Sequence, residues 1–117
     1  MTTGSTSLNM VRDELFSTME QAESLLELFI SDRNNGSHLQ QAVESLQQIR
    51  GTLSLIELAG AELLAQEIFQ QASDIPTGAG EERNDQLASL STALYVLRRY
   101  LESVDLHRHE FPELLLP

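Results

Sequence analysis

Three histidines, eighteen carboxylates and seven arginines are the side chains of this 117-residue chain that could do chemistry. An imidazole can carry a phosphoryl group or bind a metal, and paired carboxylates can do acid–base work or hold Ca²⁺. His38 lies at a predicted helix start, and His107 and His109 lie at a predicted helix end. In His107-Arg-His109-Glu110 the two imidazoles are two residues apart. On a helix they point about 200° from each other and cannot share a metal ion. Glu20, Glu23 and Glu27 share a face of a predicted first helix, and Glu57, Glu62 and Glu67 surround a predicted turn. Neither an acidic calcium loop with a central Gly nor a glycosidase-like pair is legible among them, so they read as a solvated acidic surface. Arg98-Arg99, flanked by Tyr95 and Tyr100, is the one paired basic site. Ion pairing from Arg98 to Glu102, one turn on, is its simplest reading. A contact for an acidic partner is the other. With no cysteine, thiol chemistry, disulfides and cysteine metal sites are excluded.

The most informative stretch is Leu46-Gln-Gln-Ile-Arg-Gly-Thr-Leu-Ser-Leu-Ile-Glu-Leu-Ala-Gly60. Leu39, Val43, Leu46, Ile49, Leu53 and Ile56 recur at three- and four-residue steps and form one apolar stripe of a helix. Gln47 lies about 120° from the centre of that stripe and Arg50 about 60° from it. Gln47 is therefore expected to face solvent, with the Arg50 guanidinium reaching outward from the border. An interior Gly costs a helix about 1 kcal/mol relative to Ala. Gly51 thus implies either tight helix packing or an open spot that a partner approaches. Leu55 and Leu58 are apolar yet lie off the stripe, which suggests a docking patch.

The run Gln47-Gln-Ile-Arg50-Gly51, followed by Leu and Ile residues and then Gly60-Ala-Glu-Leu-Leu-Ala, resembles the core of histidine phosphotransfer (Hpt) domains. These carry His-x-x-Lys/Arg-Gly in mid-helix. Their His exchanges a phosphoryl group with the Asp of a receiver domain, the basic residue balances phosphate charge, and the Gly clears room for docking. Arg50 and Gly51 match that pattern, but Gln47 stands where the phosphorylated His would be. A carboxamide is not a phosphoryl nucleophile, so the resemblance implies a docking shape without the chemistry. None of the three histidines has Arg and Gly at its third and fourth following positions.

More closely, nearly the whole chain resembles the N-terminal domain of a family of type IV pilus regulators in pseudomonads. It is also similar to the degenerate N-terminal Hpt-like modules of the chemotaxis-type kinase in that pathway. The resemblance implies a non-catalytic scaffold role in twitching motility and cyclic-AMP signalling, with recruitment to the cell pole. The implied partners are the polar hub protein FimV and a chemotaxis-like response regulator, and no cofactor is implied. By analogy, Gln47, Arg50, Gly51, Ser54 and Leu55 form the expected partner-binding face. Phosphotransfer through another His, or a bundle whose fourth-helix seam pairs between chains, are the alternatives.

Composition narrows the partners. The formal net charge is -11, and all seven basic residues are scattered arginines. Nucleic acid and anionic membrane surfaces are disfavoured, because both need clustered cations. The start Met1-Thr-Thr-Gly-Ser-Thr-Ser carries no signal-peptide pattern, and no apolar run approaches the ~20 residues of a membrane span, so a cytoplasmic chain is expected.

The positioning elements follow from periodicity. A first helix is predicted over 7–33, with Leu8, Val11, Leu15, Met19, Ala22, Leu26 and Phe29 inward and residues 1–6 frayed. Asn34-Asn-Gly36 ends it. Ser37-His-Leu-Gln40 reads as a capping box opening a second helix to about residue 58. Ala59-Gly60 makes a turn, a third helix runs over 61–74, and 75–80 is a loop. In the fourth helix, 82–109, Leu87, Leu90, Leu94, Leu97, Leu101 and Val104 form a bundle seam. Pro112 ends it, and the apolar tail 112–117 reads as the start of a linker to a further domain. The expected fold is all-α: an antiparallel, Hpt-like four-helix bundle over 1–111, joined by short connections.

Overall fold

The computed structural model describes residues 3–110, with side chains from 10 to 104. The side chain of Leu8, the imidazoles of His107 and His109, and the tail 112–117 therefore lie outside the described part. Four helices follow one another: α1 (Thr3–Ser31), α2 (Gly36–Leu55), α3 (Ala59–Ser73) and α4 (Asn84–Glu110), the last entered through a 3₁₀ turn, Glu81–Arg83. They pack in a ring, each against its two neighbours in the order α1, α2, α3, α4 and back to α1. The body is 51 Å long and 21 × 19 Å across.

The apolar stripes meet at the centre. Leu15, Met19, Ala22, Leu26 and Phe29 of α1 face Leu39, Leu46, Ile49 and Leu53 of α2 and Ile56 just after it. The narrow stripe of α3, Ala61, Ala65, Ile68 and Ala72, lies between α2 and the α4 seam Leu87, Leu90, Leu94, Leu97 and Leu101. Every Leu of that seam is sealed inside the chain's own core. Pairing of the seam between chains is thereby corrected, since its surface is already used. Val11, Val43, Leu64 and Val104 sit at the core's edge, only partly covered.

Helix ends depart from the periodicity-based boundaries for identifiable reasons. Residues 3–6, expected to fray, are helical. α1 stops at Ser31 instead of running to 33. The N-cap of α2 is Asn35, whose Oδ1 accepts from the Ser37 N–H at 3.2 Å, so Gly36 opens the helix and Ser37 lies within it. Asn outranks Ser only slightly as a cap, so the capping-box spelling misled by two residues. At the other end α2 closes at Leu55, three residues short of expectation. Glu57 adopts φ 63, the Leu58 N–H reaches the Leu53 carbonyl at 3.1 Å, and the Glu57 N–H reaches Ser54 O at 3.2 Å. This is a Schellman motif built on a non-Gly residue. It returns Leu58 to the core, and Ala59-Gly60, read as the turn, become the first residues of α3.

At the far end the two loops are clasped. The Arg33 guanidinium donates to the Gly80 carbonyl at 2.8 Å and to Asn84 Oδ1 at 2.6 Å, while the Arg33 carbonyl accepts from the Gly78 N–H at 2.6 Å. Gly78 has φ +77, and a Cβ on Gly36 would fall 2.6 Å from Thr77 Oγ1. A backbone N–H pair, its own and that of Gly80, also holds the exposed Glu82 carboxyl below its ordinary range. The links made by the Arg33 guanidinium to Gly80 and Asn84 were not legible in the chain, because these residues are far apart in sequence.

Two substitutions test these ends. Arg33→Ala is expected to lower unfolding stability by about 1–3 kcal/mol, the usual worth of hydrogen bonds to a charged group. Glu57→Gly is expected to raise it by about 1 kcal/mol by relieving the left-handed conformation. Urea denaturation of each variant measures both.

Candidate functional site

The outer face of α2 follows from its core stripe. Because Leu46, Ile49 and Leu53 point inward, Gln47, Gln48, Ser54 and Leu55 are left outside, and all four are exposed. Leu55 is the extreme case at 83%. Gly51 lies on the same side, and a Cβ built there would meet nothing within 4 Å. Helix packing does not require this glycine, and the open-spot reading is the one the structure favours. Leu58 does not join Leu55 in a patch, because the Schellman turn packs it against the core.

Arg50 is half-buried, as its border position demands. Its guanidinium carbon lies 5.6 Å from the centroid of the Phe69 ring on α3. Cation–π contacts of this kind contribute about 0.5–1 kcal/mol at partly exposed sites. The Arg50 Nε is buried without a hydrogen-bond partner. Phe69 as the platform for Arg50 was not foreseen, although its partial burial beside Ile68 gives it a place facing α2.

The five expected face residues are thus divided. Arg50 leans to the α3 side. Gly51 and Leu55 line a cleft of about 420 Å³ on the α1 side, together with Val11, Glu14, Leu15 and Ile49. Gln47 and Ser54 stand exposed and outside the set of cleft-lining residues. They do not converge on one point, and the face is better described as a ridge with a cleft on one flank.

The other candidates resolve separately. His38 sits in the first turn of α2, half-buried, with Nδ1 lacking a partner. Helical backbone continues through residues 107–109, and the imidazoles of that pair lie outside the described residues. Among the described residues, no group of three or more His, Cys, Asp or Glu could hold a metal ion. Nor is any helix of the described residues long and apolar enough to cross a membrane. Arg98 does pair with Glu102, at 3.4 Å, but its shorter bond is to Glu23 of α1 at 2.7 Å. Arg99 also reaches Glu102, at 3.1 Å. The bond to Glu23 is the main reason the Arg98 guanidinium is held above its ordinary range, and Tyr95 lies 5.4 Å away. Arg98 is therefore a tie between α1 and α4. Glu20 and Glu27 border an open dent beside Glu23 and Arg98 and stay exposed.

The described residues define the class of this domain as an all-helical bundle of four helices. The chain belongs to the FimL C-terminal domain family, whose model matches residues 4–116. It is 73% identical over 117 residues to the scaffold protein FimL of Pseudomonas aeruginosa, all of this chain being matched, and it spans about a fifth (21%) of that relative's length. No solved structure matches it. The likeness to FimL expected over the whole chain is shown, but the placement in an N-terminal domain is corrected: the family matched is the C-terminal one. Arg50-Gly51 and three–four periodicity are features that any helical bundle can carry, so they could not say which part of a longer protein this is.

A stability measurement checks the reading of Gly51. With open space above it, Gly51→Ala is expected to raise unfolding stability by about 0.5–1 kcal/mol. A loss of stability would mean that the glycine is needed by the fold.

Proposed function

We propose that this domain is a non-catalytic protein-interaction module of a scaffold, acting through the outer face of α2. The name of its relative, a scaffold protein, supports a binding role. The observation that carries the reading is the surface around Gly51. Gln47, the carboxamide that this reading sets against the imidazole of phosphotransfer domains, is exposed, and Leu55 is exposed beside unfilled space over the glycine. In this reading the bundle is a degenerate Hpt-like domain that keeps a docking shape and lacks the phosphoryl acceptor. Gln47, Arg50, Gly51, Ser54 and Leu55 meet the partner. The setting is type IV pilus and twitching-motility control with cyclic-AMP signalling, in the cytoplasm and at the cell pole. FimV and a response regulator of the chemotaxis-like system are the partners.

Arg50→Met tests the face while keeping an apolar stem over Phe69. Far-UV circular dichroism is expected to be unchanged, and capture of FimV or of the response regulator is expected to weaken at least about tenfold, the usual cost of losing one charged contact. Capture that ignores changes at Gln47, Arg50 and Leu55 alike would move the interface elsewhere. Gln47→His provides a gain-of-function arm. Incubated with a phosphorylated receiver, that variant is expected to take up acid-labile phosphate that the parent chain does not.

A further inference from the structure

We propose that the cleft between α1 and α2 receives a short basic amphipathic helix of a partner protein, with apolar side chains over Gly51 and one Lys or Arg on Glu14. This rests on the reading of the outer face of α2 as a protein-binding surface and names the chemistry of what binds there. The cleft is bordered by Val11 to Thr18 on α1 and by Gln48 to Leu55 on α2. Each border spans about two helical turns, roughly 10 Å, which is the contact length of a helix laid in a groove. Its floor is apolar, from the buried Leu15 and Ile49, and the missing side chain of Gly51 deepens it. Leu55 forms an exposed apolar lip.

Charge decides between occupants. Glu14 is the only charged residue lining the cleft, and its carboxylate makes no ion pair or hydrogen bond among the described residues. The Thr18 hydroxyl donates back to the Glu14 carbonyl at 2.9 Å, so it is already engaged. An unpaired carboxylate beside apolar surface, on a chain of net charge -11, attracts a cationic partner and repels an acidic one. A second copy of the chain carries the same excess charge and is disfavoured. A helix with Leu on one face and Lys or Arg on its flank satisfies both the floor and Glu14.

The test uses synthetic peptides of about fourteen residues, enough for four helical turns. One is a Leu/Lys amphipathic helix, one its Leu/Glu counterpart, and one a scramble of the first. Each is titrated with the chain by fluorescence anisotropy. The Leu/Lys helix is expected to bind at least about tenfold more tightly than the other two, with affinity falling as salt rises. Glu14→Lys and Gly51→Leu are each expected to weaken it about tenfold. Glu27→Lys makes the same charge change outside the cleft and is expected to alter binding less than about twofold. Circular dichroism verifies the fold of each variant.

Equal binding of the peptides, equal weakening by Glu27→Lys, or no binding at about millimolar peptide would overturn the proposal. So would self-association that Leu55→Glu abolishes without any peptide binding. If the peptide fails while partner capture still depends on Arg50, the cleft assignment falls and the scaffold reading stands. If capture ignores Arg50 and Leu55 while the peptide binds as expected, the cleft stands and the proposed partners fall.

Discussion

Met19, Phe29, Ile49, Leu53, Leu97 and Leu101 have no appreciable exposed surface, and each is covered only because neighbouring helices are in place. That mutual covering is the constraint on which the rest of the structure depends. α3 shows it most sharply. Fifteen residues are marginal as an isolated helix in water, and Ala61, Ala65 and Ala72 offer little apolar area of their own. Their small size lets α2 and α4 come close, so Ile49 and Leu53 on one side and the α4 seam on the other supply the burial that α3 lacks. Loss of one such Leu to Ala costs a core of this kind about 2–5 kcal/mol. Residues on the outward faces carry no comparable load, and that is where sequence is free to serve binding.

Most of this core could be read directly from spacing. The stripes Leu15–Phe29, Leu39–Ile56 and Leu87–Leu101 point inward as the three–four rhythm requires. Helix ends were less legible because several residues there can play the same part. Asn35 and Ser37 are both competent caps, and only geometry shows that Asn35 is used. Gly60 is the obvious left-handed residue near the end of α2, yet Glu57 takes that conformation. Tertiary packing of Leu58 outweighs the local preference of about 1–2 kcal/mol against it.

Side-chain contacts across the bundle were illegible for a different reason. A helical wheel says whether Arg50 or Arg98 lies at the border of a stripe, but not which neighbouring helix it meets. Arg98 to Glu102 was within reach of sequence reasoning because one turn separates them. Arg98 to Glu23 and Arg33 to Gly80 depend on the order in which the helices pack around the ring. The candidate face was legible in the same partial way. Gln47, Ser54 and Leu55 were rightly placed outside, while the separation of Arg50 toward Phe69 from Gly51 and Leu55 toward α1 needed coordinates.

Two departures from local preference meet on that face. Gly51 weakens the helix interior by about 1 kcal/mol without being needed for any contact. Leu55, one turn later, leaves a large apolar side chain in water. The Schellman turn after Leu55 sharpens the second departure. By sending Leu58 inward and starting α3 at Ala59, it leaves no following residue to shield Leu55. Either feature alone would be unremarkable, since scattered exposed leucines are common. Their placement one turn apart, lining the same cleft as Glu14, which has no ion-pair partner among the described residues, is different. Coincident departures of this kind from local preference are what the proposed docking face rests on.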